Sequence, residues 1–206
     1  MTEPMESGKY TPGAQTAGIV KWLRYLLIIQ VIGLAVTVLG AVGSLSLVAW
    51  LGRGVTLATA VVLFQLAAGN PQYKTAAMFQ VVVLVCGIIA VLSGSLLVSL
   101  LNLVSGVSQI VAEYQEYTGH GELIEKKDGK LAGRWRALFI WKVVIELFGG
   151  VLAVFGAMIG MMMEYAAQTI LAVVLVATVA VTSVLKIIYL VFLNRTRDLL
   201  SDGEPM

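Results

Sequence analysis

The sequence predicts an all-α, four-span transmembrane helical bundle with a short extra interfacial or re-entrant helix after the first span. Three observations carry this. The chain is 59% apolar and only 13% charged, against roughly 45–50% and about 25% for ordinary globular proteins. Residues 75–112 form a run of 38 without a charged side chain, nearly twice the ~20 residues that a helix needs to cross a hydrocarbon core. Charges gather instead at the ends of such runs, above all in residues 122–130.

Taken in order, residues 1–18 mix acids, bases, prolines and glycines and read as a polar tail. Lys21 and Arg24 then precede an uncharged run over residues 25–52, far longer than the 7–15 apolar residues of a signal peptide. This run is the first span, over about 25–51, and Arg53 closes it. The apolar patch at residues 55–68 reaches only ~21 Å at ~1.5 Å per residue, too short to cross. It reads as the interfacial or re-entrant helix. Gly69, Asn70 and Pro71 end it and also start the next helix, because Asn is a good N-cap and Pro suits the first helical position.

The second span covers about residues 73–97 and is expected to continue as a cytoplasmic helical extension to 117. In that extension Leu97, Leu100, Val104 and Val107 step along one face, while Ser95, Ser99, Asn102 and Gln109 mark a polar stripe on the other. Gly119 and Gly121, flanking His120, are expected to end the helix, leaving His120 solvated. Asp128-Gly129 is a turn signal, and Asp128 can cap the helix that follows. The third and fourth spans, about 137–163 and 165–189, meet in a tight connection near Glu164. Residues 19–200 thus form one membrane domain, and residues 201–206 a polar tail.

Threading follows from the basic residues. With four spans, twelve of the fourteen Lys and Arg lie on one side, with Arg53 and Lys74 opposite. The positive-inside rule then places both termini and the central loop in the cytoplasm, in a plasma membrane. Residues 53–74 are expected outside.

Few residues carry chemistry. Glu113, Glu116 and His120 fall at i, i+3 and i+7, a spacing that suits a carboxylate–imidazole cluster, but no second His exists and Cys86 is the lone cysteine. No serine has a recognisable base, and no glycine-rich loop follows a strand. No catalytic residue, cofactor or metal is assigned. Lys142, Glu146 and Lys186 lie within spans, where charge is costly and often functional. Counting from the turn near Glu164 places Glu146 and Lys186 at matching depth, and they are the candidate ion pair, with Lys142 competing. Gly149, Ala153, Gly156 and Gly160 form a small-residue stripe for helix packing. Tyr73, Gln80, Gly87 and Gly94 recur by sevens, as do Trp135, Lys142, Gly149 and Gly156, which suggests shared contact points. Trp22, Trp50, Trp135 and Trp141 suit an interfacial belt.

A net charge of +2 without a long basic block argues against nucleic acid. The expected partners are the lipid bilayer and either a second copy or another membrane or cytoplasmic protein. The sequence favours a non-enzymatic interaction or regulatory protein with a cytoplasmic partner-facing surface. The alternative is a small oligomeric transporter or channel subunit that uses the polar stripe together with Glu146 and Lys186.

Overall fold

The structure, a computed structural model, describes residues 12–42, 46–92, 95–162 and 166–202. These fold into six helices: α1 (Pro12–Val42), α2 (Ser46–Leu66), α3 (Gln72–Leu92), α4 (Ser95–Ile124), α5 (Gly129–Met162) and α6 (Ala166–Ser201). Five of them, all but α5, carry described stretches long and apolar enough to cross a membrane. That is the composition of a multi-pass membrane protein. Helix α5 has 34 residues, and Lys130, Arg134, Arg136, Lys142 and Glu146 all lie in its stretch 130–146.

The four-span expectation is therefore corrected in two places. The 38-residue uncharged run is two helices, α3 and α4, rather than one long helix with an extension to 117. They lie antiparallel, because Tyr73 at the start of α3 meets His120 near the end of α4. Likewise residues 55–68 are not a separate interfacial segment. Residues 55–66 belong to α2, whose 21 residues reach about 31 Å. Arg53 sits inside that helix rather than closing a span. The first uncharged run holds the end of α1 and the start of α2, and α2 runs back along α1, with Gly33 facing Val55 and Gly40 facing Val48.

Helices α5 and α6 make the third hairpin, where Gly149 faces Thr178 and Trp135 Nε1 donates to Thr196 Oγ1 at 3.1 Å. Each helix packs on its neighbours in sequence, and α6 closes onto α1. The result is an up-down ring of six. The C-terminal ends of α1, α3 and α5 lie at one end, here the hairpin end. Loops 67–71 and 125–128 and the start of α1 lie at the other, the loop end. Loop 67–71 therefore shares an end with the central basic loop, contrary to the expectation that residues 53–74 lie opposite.

Local signals explain the loop end. Asn70 Oδ1 accepts from Gln72 N at 2.8 Å, capping α3 with Pro71 in the first turn. Asp128 Oδ1 accepts from Leu131 N at 2.9 Å and caps α5. Helix α1 begins at Pro12, inside the stretch expected to be a tail. Gly119 and Gly121 do not stop α4, which continues to Ile124. A Cβ on Gly119 would lie 3.1 Å from the Tyr73 ring, and one on Gly121 3.4 Å from the Ala132 carbonyl. These glycines serve close approach rather than termination.

The packed core is at the loop end. Leu23, Leu63, Tyr73, Tyr117, Trp135 and Leu193 belong to one buried cluster there. Toward the hairpin end the outer surface is apolar on every helix, with Leu39, Leu57, Val85, Leu103, Phe148 and Val176 exposed. Exposed apolar surface of that extent suits lipid rather than water. Arg53 is the one charged side chain among the described residues within about 20 Å of the hairpin end.

Candidate functional site

A cavity of about 220 Å³ lies inside the ring, and all six helices line it. From α1 come Gln30, Gly33, Val36 and Thr37; from α2 Gly52, Val55, Thr56 and Thr59; from α3 Gln80. Helix α4 adds Gln109, Glu113, Glu116 and Tyr117, α5 adds Lys142, and α6 adds Lys186 and Tyr189. Counting ~1.5 Å per residue from the hairpin end, Thr37 and Gly52 lie about 8–9 Å deep, the three glutamines about 18–21 Å, and Lys142 and Lys186 about 30 Å. The cavity thus starts in the hairpin half and deepens toward the charged residues above the core cluster.

The charged groups are arranged in a definite order. Lys142 bridges two carboxylates, pairing with Glu113 and meeting Glu146 Oε1 at 2.6 Å. Gln109 Nε2 donates to Glu113 Oε1 at 2.7 Å. The expected partner of Glu146, Lys186, is not the one it meets. Among the described residues no ion pair joins them, because the α5 face that carries Glu146 also carries Lys142 one turn away. Lys186 Nζ lies instead 4.9 Å from the Tyr189 ring centroid.

Below the cavity runs a buried polar chain. Tyr73 Oη lies 2.7 Å from His120 Nδ1, His120 Nε2 lies 3.3 Å from Tyr189 Oη, and Tyr189 donates to Glu116. With the imidazole proton on Nε2, every donor in this chain has an acceptor. His120 is fully buried rather than solvated, with Trp135 tilted against it at a centroid distance of 4.7 Å. Both of its ring nitrogens are engaged with tyrosines, and Glu113 is held by Lys142, so the Glu113–Glu116–His120 spacing serves two separate networks. Among the described residues no group of three His, Cys, Asp or Glu is placed to hold a metal ion.

The remaining sequence candidates divide. Of the polar stripe, Gln109 lines the cavity, Ser99 and Asn102 are exposed, and the side chain of Ser95 lies outside the described residues. In the small-residue stripe Gly149 faces Thr178, where an added Cβ would lie at 3.3 Å. The surroundings of Ala153, Gly156 and Gly160 lie outside the described residues. Trp135 is completely buried, not interfacial, whereas Trp50 and Trp141 are exposed. The Arg53 guanidinium stacks on Trp50 at 4.5 Å and donates to the Gly87 carbonyl at 3.3 Å. The heptad spacing has a counterpart in place: Tyr73 and Trp135 both touch His120, and Gln80 and Lys142 both line the cavity.

Sequence reasoning missed Gln30, Thr56, Thr59 and Gln80 as site residues. Their signal was a polar side chain near the middle of each apolar run, one turn-face at a time. Comparison with protein-family models, with curated proteins and with solved structures finds no match to this chain.

Proposed function

We propose that the chain is a six-span integral membrane protein that binds a small polar solute in its central cavity and passes it across the bilayer. The observation behind this reading is the cavity lined from all six helices. Polar and charged side chains at membrane depth are costly unless they line a pathway or a site. Here, beside the pairing of Lys142 with Glu113 and Glu146, they converge on one space from all six helices. In this reading α5 is the sixth span, since residues 147–162 carry no charge.

Orientation follows from the same count. Every lysine and arginine of the described residues except Arg53 lies in the loop half, and the joins at the hairpin end hold none. The positive-inside rule places that half, with both termini, in the cytoplasm of a plasma membrane. The cluster around His120 and Trp135 then closes the cytoplasmic side, and the cavity is reached from outside.

Reconstitution tests the reading. Proteoliposomes are expected to take up at least one labelled small polar solute from a mixed panel, faster than empty liposomes. Thr59→Trp, which fills the cavity, is expected to abolish that uptake. No uptake of any solute, or uptake indifferent to Thr59→Trp, would contradict transport.

A second reading is favoured by a different surface. Lys126, Lys127, Lys130, Arg134 and Arg136 are exposed at the loop end. This basic patch suits a cytoplasmic protein partner or anionic headgroups, the interaction role that the sequence favours. Charge reversal at Arg134 and Arg136 that abolished function while uptake persisted would support it.

A further inference from the structure

We propose that the solute is a short hydroxylated monocarboxylate, held by the Lys186 ammonium; this rests on the solute-binding reading above. The argument is a contrast among the charged groups of the cavity. Lys142 has two carboxylate partners, Glu113 accepts from Lys142 and Gln109, and Glu116 accepts from Tyr189. Lys186 alone has no hydrogen-bond or ion-pair partner among the described residues. Glu116 and Glu113 act on it only through space, beyond ion-pairing distance. An ammonium carries three donors, and with no partner in contact among the described residues they are left to cavity water, which a bound carboxylate can replace.

Neutral groups define the rest of the solute. Gln30, Thr59 and Gln80 are each more than nine-tenths buried, line the cavity, and have no hydrogen-bond partner among the described residues. Their polar atoms open onto the cavity rather than into the packed interior, so these three are set to bond water or a solute that enters. A hydroxyl beside the carboxylate supplies both a donor and an acceptor. The nearby Glu113 and Glu116 disfavour a dianion, because only one cation is unpaired. Among the described residues Glu116 has no cationic partner in contact, so an organic cation is the rival occupant, opposed by the charges of Lys142 and Lys186, and choline tests it. A space of about 220 Å³ limits the solute to metabolite size.

The test is thermal unfolding of the full chain in nanodiscs at constant ionic strength. The probes are glycolate, lactate and glycerate, with lactamide as the neutral match, octanoate as a lipid-derived acid and choline as a cation. A ligand that binds only the folded state raises the midpoint with its concentration. At least one hydroxy acid is expected to raise the midpoint by several degrees in the millimolar range, with lactamide giving no rise. Lys186→Gln is expected to remove the effect and Lys186→Arg to keep part of it. Equal effects of acid and amide, no effect of any hydroxy acid, or a rise with octanoate or choline alone would overturn the assignment. An undiminished rise in Lys186→Gln would do the same. The wild-type comparison stands even if Lys186→Gln fails to fold. If a cysteine at Thr56 proves water-accessible while no acid stabilises, the carboxylate assignment fails and the cavity reading stands. If that cysteine is inaccessible, both fail.

Discussion

Tyr73, the second residue of α3, places its hydroxyl 2.7 Å from Nδ1 of His120 near the end of α4. The two residues are 47 apart in sequence and both are fully buried. This contact defines the α3–α4 hairpin and anchors the cluster beneath the cavity. Removing either partner strands a buried polar group, at about 1–3 kcal/mol. Tyr73→Phe and His120→Gln should therefore each destabilise, and the pair should be non-additive by at least ~0.5 kcal/mol. The check is a double-mutant cycle on unfolding in mixed detergent micelles; additive losses would separate the two residues energetically.

Threading gives a second expectation. Reporter fusions after Gly69 and after Asp128 should both read as cytoplasmic, and a fusion after Leu92 as extracytoplasmic. In a four-span arrangement the Gly69 fusion would read as outside, so this one junction discriminates between the two arrangements.

Adjacent glycines on α5 supply a third. A Cβ on Gly149 would lie 3.3 Å from Thr178, whereas one on Gly150 meets nothing within 4 Å. Gly149→Leu should lower stability by about 1–3 kcal/mol through overpacking. Gly150→Leu, facing outward, should be neutral or mildly stabilising. Equal losses in thermal stability would mean that α5 and α6 do not meet at this point.

These cases show what the sequence could and could not convey. The apolar runs, the Asn70-Pro71 start of α3, the Asp128 cap and the basic bias toward one end were all legible, because each is a local or compositional signal. The ends of α1 at Val42 and of α3 at Leu92 were not, because they fall inside uncharged runs with no proline to mark them. Gly119 and Gly121 carry the residue type of a helix stop, yet the Tyr73 ring and Ala132 backbone require them for close contact. Depth along the chain matched Glu146 with Lys186, but depth says nothing of which helix face a residue occupies. Gln30, Thr59 and Gln80 become a site only when the ring closes and brings three helices to one space.

The carboxylates of Lys142 should differ in weight. Glu113 is largely buried in the pair, while the Glu146 side chain is 39% exposed. Glu113→Gln leaves a buried ammonium short of its main partner and should cost up to ~3 kcal/mol. Glu146→Gln should cost at most ~1 kcal/mol, as for exposed pairs. Chemical unfolding of the two variants in one detergent provides the comparison, and the reverse order would contradict the assigned network.

The central claim is a water-filled cavity inside the ring, and two neighbouring residues test it most directly. Thr56 lines the cavity, and Leu57 next to it is exposed on the apolar outer surface. In a Cys86→Ala background, Thr56→Cys should react with a charged, membrane-impermeant thiol reagent added outside intact cells, because the reactive thiolate needs water. Leu57→Cys, facing lipid, should react only after unfolding. Labelling of Leu57→Cys with Thr56→Cys protected, or of neither until the protein is unfolded, would contradict the account.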